Sequence, residues 1–357
     1  MARIKTVGPR EAKGEIQELY RLILTAFPLI PNVFQAFSLS PPLLRAIWKG
    51  HVATIQSGKM PRRTKETVAV QTSRANACPY CVGAHTMFLK AIGMSEAQIE
   101  TLGQELSGEA QSPLGDLWQF VEEVVQRPKM VAPPLVAAAT RSVGGECEFL
   151  EAVAITGYFT RVNLVVNALG VLPDLPAPLM RFELGQRIGR AMASRLTRAR
   201  VDFTPKPVVA RPAAETLALL EADYRNALGA PLPPFLRRFE ACPEILEAEA
   251  SWLGVIARPG AMAPAWVPLI ESAVADEEGF PGFGAASTGR DRAAGHSAAW
   301  DRAEKLARSV ARASYRLTDA EFDEIRAAGF SDEAILEIVA SAAYWCGTIR
   351  MAAALGN

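Results

Sequence analysis

The stretch Glu66-x11-Cys78-Pro79-Tyr80-Cys81-x3-His85 holds the side chains of this chain best suited to chemistry. Two cysteines three apart at a helix start bring their sulfurs close enough for a small disulfide loop, and the unsatisfied N–H groups and dipole of the helix favour a thiolate there. Cys81 and His85 are four apart, so they share one face one turn from each other, where an imidazole can take or relay a thiol proton. Glu66, on the preceding expected helix, can turn back and orient or charge that imidazole, the third-group logic of activated nucleophiles. The pattern points to dithiol–disulfide chemistry with acid–base assistance.

Other readings of the same residues stay open. Cys78, Cys81 and His85 are three potential zinc ligands with Glu66 as a fourth, although the only other histidines are His51 and His296 and no second Cys-x-x-Cys exists. Covalent haem is disfavoured because Val82, not His, follows Cys81. His85 and Glu66 could also be purely structural. His51, in KGHVATI, reads first as a capped or surface histidine, with lining of the same pocket as the alternative. His296, in STGRDRAAGHSAAW, reads as a loop residue that could close over the site from the other half. Cys147, Cys242 and Cys346 sit in apolar, helix-like contexts and read as ordinary buried small residues.

The elements that must position the motif are helical. Most of the 357 residues follow helical period, and no Val/Ile/Thr-rich run bounded by hairpin turns stands out, so the fold class is all-α. The pattern predicts helices over 10–27, 41–57, 62–76, 79–92, 95–105, 114–126 and 146–169. Ser95 followed by Glu96 and Gln98 starts one, Pro61 fits the first turn of another, and Gly93 and Gly170 suit the left-handed position after helix ends. Half the residues are hydrophobic, 50%, which is enough for well-buried cores. The 38 basic residues balance the 38 acidic ones, so no global field favours nucleic acid or an anionic membrane. The opening MARIKTVGPREAKGEIQELY has no secretory pattern and no uninterrupted apolar run of about 18 residues follows, so a soluble, cytoplasmic chain is expected.

The length favours two domains. From Val171 to Pro212 the texture turns proline-rich, around a stretch carrying Arg181, Arg187, Arg190, Arg195, Arg198 and Arg200 with an apolar face of Met180, Leu184, Ile188, Met192 and Leu196. It reads as a connector strapped onto the body or a neighbouring subunit. FLEAVAITGYFTRVNLVVNALG (149–170) aligns without gaps on ILEIVASAAYWCGTIRMAAALG (335–356) with eight identities in 22 positions. FSLSPPLL (37–44) echoes FEACPEIL (239–246), and MPRRTKETVAV echoes APAWVPLIESAVA less clearly. At that register CPYC (78–81) falls opposite PGFG (281–284), so only the first half can do dithiol chemistry. The expected division is 1–175, a 176–212 connector, and 213–357 as a degenerate repeat.

The motif, with Asn76 to Cys81 as Asn-x-Cys-x-Tyr-Cys and the closing helix ending NALGV, resembles the alkylhydroperoxidase D-like and carboxymuconolactone decarboxylase superfamily. The resemblance covers most of the first half and more faintly the second, and it implies two tandem helical domains of that type. It further implies that Cys81 attacks a hydroperoxide and becomes a sulfenic acid, that Cys78 resolves it to a disulfide, and that His85 and Glu66 relay protons. Neither metal nor organic cofactor is implied. The partners would be the hydroperoxide or another small molecule and an external dithiol or carrier-protein reductant, and the chain would form a homo-oligomer. Tyr80 stands where some peroxidase-branch members carry a second histidine; a phenol there could still donate a hydrogen bond. The alternatives are a lyase or isomerase of the decarboxylase branch using His85 and Glu66 on a small organic acid or lactone, and a non-catalytic, redox-sensing assembly protein.

Overall fold

The computed structural model describes residues 2–128, 131–174, 210–284 and 298–356. The first half runs α1 (Gly14–Ile23), α2 (Asn32–Gln35), α3 (Pro41–His51), α4 (Arg62–Ala75), α5 (Pro79–Ala91), α6 (Glu96–Leu106), α7 (Gly115–Gln126), α8 (Pro133–Ser142) and α9 (Glu146–Leu169). The second runs α10 (Ala213–Leu228), α11 (Pro234–Arg237), α12 (Pro243–Ile256), α13 (Trp266–Glu278), α14 (Ala298–Ala313), α15 (Asp319–Ala327) and α16 (Asp332–Leu355). The described residues contain no strand, and the fold is all-α.

Local signals set most of the boundaries. The Ser40 side chain accepts from Leu43 N to start α3, Ser95 and Gln98 form a reciprocal capping box at α6, and Gly170 closes α9 with φ 62°. Pro61 sits just before α4 rather than in its first turn, and α1 begins at Gly14 instead of residue 10. Sequence periodicity gave no sign of α2 or α8. The first is a single four-residue turn, and the second starts on the double proline Pro133–Pro134. The arginine-rich stretch and His296 lie outside the described residues; of the connector, Arg211 is seen pairing with Glu247 at 2.7 and 2.8 Å.

Helices α9 and α16 are each 24 residues long, and their ends keep the ungapped register of the sequence alignment. Both are long and apolar enough to cross a membrane by composition, yet their most apolar windows are 100% and 89% buried inside the protein. The apolar character serves packing of the two helices on each other and on their neighbours. Close approach needs glycine at Gly347, where a Cβ would lie 2.5 Å from the Gly157 carbonyl oxygen. That space admits Arg161, whose guanidinium meets Glu249 of α12 at 2.6 and 2.8 Å and reaches Thr348 at 3.1 Å. The Tyr344 ring sits 4.4 Å from the same guanidinium. One apolar core runs through both halves.

A second buried ion pair fixes the start of α4. After α3 the chain makes a π-helical turn, Val52–Gln56, which leaves carbonyls without a helical partner. The Lys65 ammonium donates to the Thr54 and Ser57 carbonyls and meets Glu151 of α9 at 2.5 Å, while Glu151 also accepts from Lys59 N at 2.6 Å and Met60 N at 3.0 Å. Burial lowers the Lys65 pKa, and Glu151 opposes that. The clamp holds the residue next to Glu66 in place, so the site begins from a fixed backbone.

Candidate functional site

The turn between α4 and α5 is a left-handed C-cap made without glycine. Ala77 has φ 50°, the only positive φ at a non-glycine among the described residues, and Cys78 N bonds back to Ser73 O at 2.8 Å. This geometry makes Cys78 the N-cap of α5, with Pro79 as its first residue. Cys78 and Cys81 are both free thiols and buried.

The two sulfurs are electrostatically unequal. A hydrogen bond with the Cys81 thiol lowers the Cys78 pKa; burial opposes it, and the Cys81 N–H, the Asn163 side chain and the Tyr80 N–H reinforce it. Burial pushes Cys81 well above its ordinary value, with the neighbouring Cys78 adding to the shift. At rest the negative charge therefore favours Cys78 and the proton Cys81.

Asn163 was not among the residues singled out from sequence. It is fully buried on α9, donates to Ser73 Oγ at 3.1 Å and accepts from Asn76 Nδ2 at 3.2 Å, so α9, the end of α4 and the thiols form one polar cluster. Its only trace in the sequence is an amide among the apolar residues of the last turns of α9.

Behind the thiols, Glu66 and His85 meet: Oε2 of Glu66 lies 2.6 Å from His85 Nδ1, and Arg62 Nε donates to Oε1 at 2.6 Å. Glu66 is 0% exposed. Burial alone would raise its pKa, but the charges of Arg62 and His85 and the hydrogen bonds from both hold it at about 2. An ionised carboxylate only accepts, so His85 carries a proton on Nδ1 and keeps Nε2 for acid–base work. The imidazole is fixed edge-on against Phe159, with centroids 4.5 Å apart. Arg62, which sequence reading passed over, completes this line of charge.

Cys81 and His85 open on the same cavity of about 80 Å³, whose wall also includes Tyr80, His51, Asp174 and Tyr158 among mostly apolar side chains. Glu66 is not part of that wall and acts on it through His85. The Tyr80 hydroxyl donates to Asp174 Oδ2 at 2.9 Å and accepts from Val33 N at 3.2 Å, so it is engaged away from the sulfurs. Tyr158 donates to Ile47 O at 2.9 Å. Its ring occupies the space a Cβ at Gly50 would need, 2.5 Å away. His51 is neither capped nor on the surface. It ends α3, is 5% exposed, and stacks on Trp48 in the cavity wall.

Cys242 and Cys346 are buried with raised pKa values, Cys242 at about 12, and Cys147 is half-buried rather than buried. No group of three or more His, Cys, Asp or Glu among the described residues is arranged to hold a metal ion, and Glu66, the fourth zinc ligand considered above, is engaged by Arg62 and His85.

The model of the carboxymuconolactone decarboxylase family matches residues 41–108. The likeness to that family is confined to this segment. The segment contains Glu66, Cys78, Cys81, His85 and also His51. The chain is further similar to a Mycobacterium tuberculosis protein named alkyl hydroperoxide reductase, 36% identical over 107 residues, which make up 30% of this chain and 30% of that protein. The matched segment includes α3, α4 and α5, and the last two carry the dithiol, Glu66 and His85.

Proposed function

We propose that the chain is a thiol-dependent peroxidase or disulfide oxidoreductase that reduces a small hydroperoxide through a Cys81–Cys78 disulfide cycle. The observation that carries this reading is the hydrogen-bonded line Arg62–Glu66–His85 ending at a cavity wall shared with Cys81. The relative's name, alkyl hydroperoxide reductase, adds support from outside the chain.

In the proposed cycle His85 Nε2 takes the Cys81 proton and the thiolate attacks the terminal oxygen of ROOH. The O–O bond breaks, RO⁻ takes the proton from His85 to leave as ROH, and Cys81 holds a sulfenic acid. Cys78, whose charge is favoured by the helix start and Asn163, then attacks that sulfur. The proton given up by the Cys78 thiol passes to the departing hydroxide, water leaves and the disulfide forms. Two thiols and ROOH become a disulfide, ROH and H2O, and an external dithiol or reduced carrier protein restores the thiols. Cys81 is assigned the attack although Cys78 is the more acidic thiol, because Cys81 shares the cavity wall with His85 and Cys78 is not among the wall residues.

The division into 1–175, 176–212 and 213–357, with the last as a degenerate copy, belongs to the same proposal. It is supported by the matched lengths of α9 and α16 and by Glu151 and Glu337, which occupy aligned positions and both cap backbone N–H groups ahead of the next helix.

The test is hydroperoxide consumption with a dithiol reductant. Cys81→Ser abolishes it, and Cys78→Ser leaves one turnover and a trapped sulfenic acid; full activity in Cys81→Ser would overturn the reading. A second reading, acid–base chemistry of the decarboxylase type by His85 and Glu66 on a small acid or lactone, draws on the family's description and on the same dyad. Activity that survives alkylation of the thiols distinguishes it.

A further inference from the structure

Among the described residues, the wall of the cavity beside Cys81 has one fully buried side-chain nitrogen or oxygen without a hydrogen-bond partner. His85 Nδ1 is held by Glu66, the Tyr80 hydroxyl by Val33 N and Asp174, Asp174 by Tyr80 and Asn32 N, and the Tyr158 hydroxyl by Ile47 O. His51 Nε2 is buried and has no hydrogen-bond partner among the described residues. Native proteins rarely leave such an atom without a reason, because it loses water and gains nothing.

The ring is not free to turn away. It stacks on Trp48 at 5.8 Å and 19°, meets Phe34 edge-on at 5.9 Å and 89°, and lies 5.3 Å from Phe27. Three aromatic side chains thus hold an imidazole in the wall of a small, mostly apolar chamber that also exposes the candidate nucleophile. Its role differs from that of His85. Burial first, then the charges of Arg62 and His85, press its pKa down to about 3 against the pull of Glu66, so it stays neutral and offers a hydrogen bond rather than a proton.

We infer that His51 Nε2 is the hydrogen-bonding partner of the bound substrate's polar group, which makes His51 the residue that orients a small, largely apolar hydroxyl or hydroperoxyl compound beside Cys81. The inference deepens the peroxidase reading and takes its substrate class from it, but the binding claim is testable without turnover. Phe27, Phe34, Phe88 and Val162 receive the apolar body. His51 fixes the oxygen end. A site arranged in this way is less stable empty than it could be, and filling it supplies the missing partner.

The test uses tert-butanol, the unreactive product alcohol of tert-butyl hydroperoxide, with the full chain. The three histidines of the chain are isotope-labelled and the His51 ring is assigned by substitution. In the wild type the alcohol shifts the His51 ring signals. His51→Leu weakens alcohol binding about tenfold and His51→Gln by less than about threefold, because the amide can still hydrogen-bond. The Leu variant also melts a few degrees higher in the absence of ligand, since it removes an unpaired buried nitrogen. With tert-butyl hydroperoxide its KM rises while kcat changes little.

Unshifted His51 signals, equal alcohol binding by the Leu variant, or a lower melting temperature for that variant would each overturn the inference. If the alcohol binds through His51 but the wild type forms no disulfide with the hydroperoxide, the peroxidase reading fails and the His51 assignment stands.

Discussion

Aligned positions in the two halves keep the same scaffold and differ where chemistry would occur. Glu151 caps Lys59 N and Met60 N in the first half; Glu337 caps Gly260 N, Ala261 N and Met262 N in the second, at 2.6 to 2.9 Å. After α4 the chain turns through Ala77 directly into α5 with Cys78 as its cap. After α13 it instead passes through Gly279 into Pro281–Gly284, where Glu271 accepts from Phe283 N at 2.6 Å and burial raises the carboxyl's pKa. Tyr80 lines a cavity. Phe283, opposite it in the alignment, packs on Phe235 and Trp345, each at 6.2 Å. If the second half is a copy of the first, as proposed, the contrast teaches that a glutamate-capped helix start is kept where the thiol pair is not.

The largest effect should come from removing the difference itself. With both Cys78 and Cys81 changed to Ser, hydroperoxide consumption falls to the uncatalysed level, because Pro281 and Gly284 offer no substitute. Residual thiol-dependent turnover in that variant would place activity elsewhere.

The shared glutamates separate next. Glu151→Gln leaves Lys65 buried without its ion pair and should cost about 3–5 kcal/mol, whereas Glu337→Gln only weakens bonds to backbone N–H groups and should cost about 1–2 kcal/mol. Urea unfolding of both variants measures the gap. Equal losses would mean that the Lys65 clamp contributes little.

The depressed pKa of Glu66 has a directional consequence. Its charged form is stabilised in the folded state, so that stability is present above about pH 4.5 and is lost as pH falls through about 2. Glu66→Gln should therefore unfold with less dependence on pH across that window, a difference on the order of 3 kcal/mol in urea titrations at successive pH values. The same variant should lose about 10²- to 10³-fold in turnover, since the glutamine no longer demands the Nδ1 proton of His85. The smallest effect is at the turn. Ala77→Gly should change stability by less than about 1 kcal/mol, because relief of the left-handed strain offsets the added freedom of the unfolded chain, as thermal melts would show.

Much of the frame was legible because its signals are local. The ends of α9, the proline at the start of α3, the capping box at Ser95 and the left-handed glycines all depend on residues within a few positions of each other. Glu66, Cys78, Cys81 and His85 could be proposed as a group because the α4–α5 hairpin brings them together over a short span. The rest of the site arrives from far along the chain, and periodicity carries no information about it. Asn163 reaches the thiols from α9, Asp174 reads as part of a proline-rich connector but ties down Tyr80, and His51 looks like any helical histidine until Phe27, Phe34 and Trp48 are seen around it. Nothing in the sequence marked Arg62, although its contact with Glu66, together with that of His85, explains how the carboxylate stays ionised when buried.

The central claim, that the first half carries a working dithiol facing a substrate cavity, is tested most directly by mass spectrometry of the peptide spanning Cys78 and Cys81 before and after one equivalent of hydroperoxide. The account predicts a loss of about two mass units, restored by a dithiol and absent from Cys81→Ser. An unchanged peptide in the wild type, with the other cysteines oxidised instead, would contradict it.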